Sequence, residues 1–72
     1  MDIRQIFAKN LRAARQAKGF SQEELANRAD LDRTYISALE RSVYIAMIDV
    51  IDRLAVAMEM EASALFEGPG EE

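Results

Sequence analysis

Cysteine, histidine and tryptophan are missing altogether from these 72 residues. Without cysteine there is neither a disulfide framework nor a thiolate ligand; without histidine as well, a zinc site and a histidine-dependent triad are excluded. Glycine occurs three times and proline once, too sparsely for a glycine-rich phosphate loop. An enzyme is therefore the least favoured class, and no metal, cofactor or small-molecule substrate is expected. Long apolar runs are lacking too. The longest, Val43 to Ile48, is far too short to span a bilayer, and Met1-Asp2-Ile3-Arg4-Gln5 lacks the charged-then-apolar pattern of a signal peptide. The expectation is a soluble cytoplasmic protein with no membrane partner.

Positive charge is scarce only on average. A net charge of −4 argues against a nucleic-acid partner, because neutralising phosphates needs Lys and Arg. Its distribution argues the other way. Residues 1–44 hold eight basic against six acidic side chains, a balance of +2, whereas residues 45–72 hold Arg53 against seven acidic ones, a balance of −6. A basic binding half and an acidic half facing elsewhere fit this asymmetry, as do two plainly solvated surfaces. Half of the residues are hydrophobic, so one compact helical domain is feasible, near the lower size limit for a self-sufficient core and open to help from self-association.

Helical spacing of Ile3, Ile6, Phe7, Leu11 and Ala14 predicts a first helix from Asp2, its cap, to about Lys18, stopped by Gly19. Ser21 and Glu24 form a capping-box pattern opening a second helix, about Gln22 to Ala29, whose small Ala26 suits a close helix crossing. Asp30 and Leu31 make a bend, and Asp32 caps a third helix, Arg33 to about Arg41. Leu31, Ile36 and Leu39 form its apolar side. Its other side carries Arg33, Thr34, Tyr35 and Ser37, a set of groups useful against a DNA groove. A fourth helix of about Met47 to Met58 is apolar over half its circumference, and a short fifth runs from Glu61 to Phe66. The domain covers residues 1–66, followed by a disordered acidic tail, 67–72.

Helix, three-residue turn, helix is the resulting pattern. In Leu25-Ala26, Ala29-Asp30-Leu31, Ile36 and Leu39-Glu40-Arg41 it resembles the phage repressor, Cro and xenobiotic-response-element helix-turn-helix family. Ser21 to Ala26 and Leu31 to Ser37 are especially similar to the controller proteins of restriction–modification systems. The resemblance runs from about Phe7 to Phe66. It implies an all-α, five-helix repressor-like domain with helices two and three as the helix-turn-helix, and it implies that Leu65 and Phe66 close the core. It further implies a structural ion pair between Arg15 and Glu40. This chain departs from the family pattern in two places. Asp30 stands where a left-handed Gly is usual, at modest cost because Asp tolerates that conformation. Ser42-Val43-Tyr44-Ile45-Ala46-Met47 replaces a Gly, a polar loop and a Pro-Ser/Thr cap, leaving only Ser42 or Asp49 as candidate caps for helix four.

Among the base-reading candidates, Arg33 can fork onto guanine, or pair with Asp30 or Asp32 at its own helix start. Thr34 offers a methyl and a hydroxyl, and Ser37 a second hydroxyl one turn later. Tyr35 suits a phosphate or a deformable base step, and equally suits packing against helix two. Gln22 at a helix start is placed for a DNA phosphate, with Ser21 more a cap than a contact; Arg12, Lys18, Arg28 and Arg41 are backbone contacts or solubilising charge. Specific binding normally takes two recognition helices about 34–36 Å apart, so a homodimer on double-stranded DNA is expected. Its interface is assigned to Met47, Val50, Leu54, Met58, Met60, Leu65 and Phe66, unless these only complete the core. The function expected is a sequence-specific transcriptional regulator on a pseudo-palindromic operator. The competing reading is an interaction module, of antitoxin, adaptor or engineered-scaffold type, docking partners through helix four with DNA binding weak or lost.

Overall fold

The computed structural model describes residues 2–68. Beyond Gly68, the expected acidic tail lies outside the described residues. Helix α1 (Ile3–Ala17) opens on Asp2, whose carboxylate accepts the N–H groups of Arg4 and Gln5 at 2.9 and 3.1 Å. The Gln5 side-chain oxygen accepts the Asp2 N–H in return at 3.0 Å. This reciprocal capping box, which the sequence reading placed one helix later, satisfies donors that the first turn leaves without partners. At α2 (Gln22–Ala29) only half of the expected box forms. Ser21 Oγ accepts the Glu24 N–H at 3.0 Å, but the Glu24 carboxylate turns to Arg28, one helical turn on, at 2.8 Å.

The four α-helices among the described residues all end with the same hydrogen-bond pattern, in which a left-handed residue reverses the chain and the next N–H reaches back five residues. After α1 the left-handed residue is Gly19 (φ 75°), with Phe20 N–H on the Arg15 carbonyl at 3.1 Å. After α2 it is Asp30 (φ 59°), with Leu31 N–H on the Ala26 carbonyl at 2.8 Å. After α3 (Arg33–Glu40) it is Ser42 (φ 63°), and after α4 (Ile48–Ala57) it is Glu59 (φ 57°). A side chain in that region costs about 1–2 kcal/mol, which glycine avoids at the expense of a looser unfolded chain. Ser42→Gly is therefore expected to stabilise the fold by about 0.5 kcal/mol, raising the melting temperature by about 2–4 °C in a domain of this size. A thermal melt followed by circular dichroism checks it.

The helices enclose one core in which Phe7, Leu11, Leu25, Ile36, Leu39, Leu54, Met58 and Leu65 are fully buried, each contributing about 1.5–3 kcal/mol of apolar burial. α2 packs on α3 and α4, α1 packs on α3, and Ala26, 1% exposed, sits in the core where these elements meet. The expected fifth α-helix is a 3-10 helix, Ala62–Phe66, too short to complete α-helical turns. It closes the bundle against α1 and α4, with the Phe66 ring stacked on Phe7 at 5.3 Å between centroids. The Asn10 amide fastens it by donating to the Leu65 and Glu67 carbonyls at 3.0 and 2.9 Å. Neither Ser42 nor Asp49 caps α4. Met47 holds the cap position in an extended conformation without a side-chain bond, while Ser42 belongs to the turn that ends α3.

The structure divides the residues assigned to a dimer interface. Val50, Leu54, Met58 and Leu65 are buried in the chain's own core, and Met60 and Phe66 are half-buried against it; only Met47 faces outward, 71% exposed. Counting apolar positions on α4 overstated the free surface, because α2 and the 3-10 helix both pack on that helix. The large apolar side chains actually left open are Ile3 at the start of α1 and, in the loop and α4, Val43, Tyr44, Ile45, Met47, Ile48 and Val56, with Ile48 the most exposed at 85%. No helix among the described residues is long and apolar enough to cross a membrane.

Candidate nucleic-acid interface

α3 starts where Asp32 Oδ1 accepts the Thr34 N–H at 2.7 Å. That cap, following the left-handed Asp30, leaves Arg33 and Thr34 exposed on the first turn. Arg33 forms no ion pair among the described residues, so its guanidinium is not engaged by Asp30 or Asp32. Ser37 is half-buried. Tyr35 is also half-buried and packs against the core, but its ring meets Tyr44 from the following loop, centroids 5.9 Å apart and planes tilted by 52°. Ala38, 6% exposed, is covered rather than presented.

Beneath this surface, the Glu40 side chain is completely buried and Arg15 lies across it. Arg15 Nε donates to Glu40 Oε2 at 2.6 Å and Nη2 to Oε1 at 3.0 Å, while Nη1 donates to the Phe20 carbonyl at 2.9 Å. One guanidinium thus ties α1 to α3 and to the turn before α2, in the forked geometry that favours arginine over lysine. Burial opposes the charge on Glu40 more than any other single effect. The hydrogen bonds from Arg15 and Gln22 and the charges of Arg15 and Arg12 together outweigh it, so the carboxyl stays below the usual glutamate range. Arg15 is raised above its ordinary value, chiefly by its hydrogen bonds to Glu40.

Two side chains assigned to phosphates also reach this carboxylate. Gln22 Nε2 donates to Glu40 Oε1 at 3.1 Å, and Arg12 Nε lies 3.5 Å from the same oxygen while its side chain remains 56% exposed. Ser21 is occupied as the cap of α2. Arg28 is held within its own helix, paired to Glu24 at 2.8 Å and lying over the Phe20 ring at 4.4 Å. Lys18 pairs with Glu59 at 2.9 Å, whereas Arg41, exposed just after α3, forms no ion pair among the described residues.

Sequence spacing missed three positioning residues. Arg53, read as a solvated residue of helix four, donates from Nε to the Ala29 carbonyl at 3.0 Å and from Nη2 to the Asp30 carbonyl, holding the turn between α2 and α3. Asn10 reaches the Leu65 and Glu67 carbonyls, 55 and 57 residues on, and Tyr44 meets Tyr35 from the loop that follows α3; no local pattern signals either contact. No group of side chains suited to a metal ion occurs among the described residues.

Comparison with known proteins agrees with this architecture. A family model described as Helix-turn-helix matches residues 11–65. A hypothetical transcription factor of Neisseria meningitidis serogroup B is 43% identical over 70 residues, covering 97% of this chain; the chain spans 66% of that protein's length. The crystal structure of the restriction-modification controller protein C.AhdI from Aeromonas hydrophila superposes with a TM-score of 0.85 at 40% identity, covering 88% of this chain and 96% of that one. The controller protein C.Esp1396I, solved as a tetramer in complex with its natural operator, superposes with a TM-score of 0.82 at 29% identity, covering 92% of this chain and 87% of its own. With the turn, the crossing of α2 and α3 and the buried pair behind them all in place, this chain belongs to the helix-turn-helix family.

Proposed function

We propose that this chain is a sequence-specific transcription regulator that binds a pseudo-palindromic operator as a homodimer, with α3 in the major groove. The observation that carries the reading is the division of labour on α3. Glu40 and the apolar side are locked into the scaffold, while Thr34 and Arg33, the latter with no ion-pair partner among the described residues, stand exposed at the leading end. Arg33, Thr34, Tyr35 and Ser37 read bases. Arg12 and Arg41 meet the backbone as exposed cations. Gln22 serves mainly to hold Glu40, and its second amide hydrogen is what remains for a phosphate. Homodimerisation uses the open apolar surface of the loop and α4, from Met47 and Ile48 to Val56.

Arg33→Ala is expected to cost about 1–3 kcal/mol of operator binding and to relax preference at one base position per half-site. Selection from a random duplex library, run on both proteins, measures it, and an unchanged preference sinks the base-reading role. Titration against salt separates this function from the interaction module. Affinity for random duplex falling steeply with salt marks phosphate contacts, and a flat response supports the module.

A further inference from the structure

We infer that Tyr44, outside the recognition helix in sequence, is part of the DNA-reading surface and positions the Tyr35 ring there. The inference rests on the DNA-binding reading above. The left-handed Ser42 and the bond from Val43 N–H to the Ala38 carbonyl at 3.1 Å turn the chain back along α3 as soon as the helix ends. The buried Ala46 then anchors the loop in the core. Between these two fixed points Tyr44 stands against Tyr35, and the two rings line one shallow depression with Asp32, Thr34 and Ala38.

That depression adjoins Thr34, so whatever meets the first turn of α3 also meets Tyr44. Tyr44 is 50% exposed, so its contact with Tyr35 leaves part of the residue open. A tilted aromatic pair restricts the rotation of both rings. Tyr35 is thereby held at the groove side, and the exposed part of its partner is available to a sugar or, through the hydroxyl, to a phosphate. In a duplex the base faces are stacked on one another and closed to such a ring, so Tyr44 meets the sugar–phosphate backbone and adds affinity more than sequence preference.

The composition supplies the test. Tyr35 and Tyr44 are the only tyrosines and there is no tryptophan, so all tyrosine emission comes from this pair. In a Tyr35→Phe variant Tyr44 is the sole emitter, and operator duplex is added until the anisotropy of a labelled strand shows saturation. Quenching beyond that caused by an equal amount of scrambled duplex is the expected result. Emission that stays flat at saturation overturns the inference; absence of any operator binding by the wild-type protein overturns the underlying DNA-binding reading instead. Should Tyr35→Phe bind too weakly to saturate, the comparison is made between wild type and Tyr44→Phe. A smaller total quench in Tyr44→Phe supports Tyr44, and an equal one overturns it. In parallel, Tyr44→Ala is expected to weaken operator binding about 5- to 10-fold across sequences, with Tyr44→Phe restoring most of the loss because the ring is kept. Equal losses in the two variants overturn the positioning role.

Discussion

Arg15→Ala is expected to lower the unfolding free energy by about 3–5 kcal/mol, because it leaves a fully buried carboxylate without its forked partner. At about 4–8 °C per kcal/mol for a domain of this size, the melting temperature drops by more than about 12 °C. The Gln22 amide and the more distant Arg12 guanidinium remain near Glu40, but neither supplies the bidentate geometry or the bond to the Phe20 carbonyl. An unchanged thermal melt would remove the pair from its structural role. Acid tests the same group from the other side. Glu40 has a lowered folded-state pKa, so its stabilising contribution is fully present above the unfolded glutamate value of about 4.3 and is lost as pH falls through the folded value. Wild-type stability should therefore decline below about pH 4, and Glu40→Gln, already weakened at neutral pH, should show a shallower decline. Glu59 is also lowered, chiefly by its hydrogen bond to Lys18, but it is exposed and solvent screens the pair.

The parts of this fold legible in the sequence are those governed by contacts within one helical turn. Asp2, Gly19, Ser21 and Asp32 occupy the caps and stops that their side chains or backbone freedom suit, so helix limits were read nearly correctly through α3. Met47 has no such signal, so the limits of α4 were legible to within one residue from its apolar spacing but its cap was not. The left-handed Ser42 and Glu59 were invisible for a related reason, since neither type advertises that conformation and the surrounding packing imposes it. Burial on α4 required tertiary knowledge. Val50, Leu54 and Met58 have the spacing of any apolar face, and nothing local says whether α2 or a second chain covers it. The Arg15–Glu40 pair was legible through family resemblance, whereas the contacts of Gln22 and Arg53 depend on how the α1–α2 turn and α4 are placed. Net charge says less than its distribution: seven of the thirteen acidic residues lie at or beyond Asp49 in the sequence, after the segment that holds α2 and α3.

Ile48→Glu is expected to separate assembly from reading. Ile48 is 85% exposed in the first turn of α4, where a carboxylate is favoured by the helix dipole, so the substitution leaves the folded chain at least as stable. Ile48 and Val56 lie eight residues apart on α4 with the exposed Asp52 carboxylate between them, so the open apolar surface is two patches, and the one that Ile48 forms with exposed Met47 is the more exposed. A two-fold interface is self-complementary, so each substitution enters it twice. Two carboxylates would be drawn together in apolar surroundings, and the chain should sediment as a monomer. Operator affinity then falls by about 10²–10⁴-fold, the advantage of holding two half-sites together. Affinity for an isolated half-site, which the proposed reading assigns to the unaltered α3, is expected to stay where it was. Sedimentation alongside titration of full and half operators reads both effects. A variant that still sediments as a dimer would show that the interface lies elsewhere. A monomer with full operator affinity would show that one α3 is sufficient for recognition.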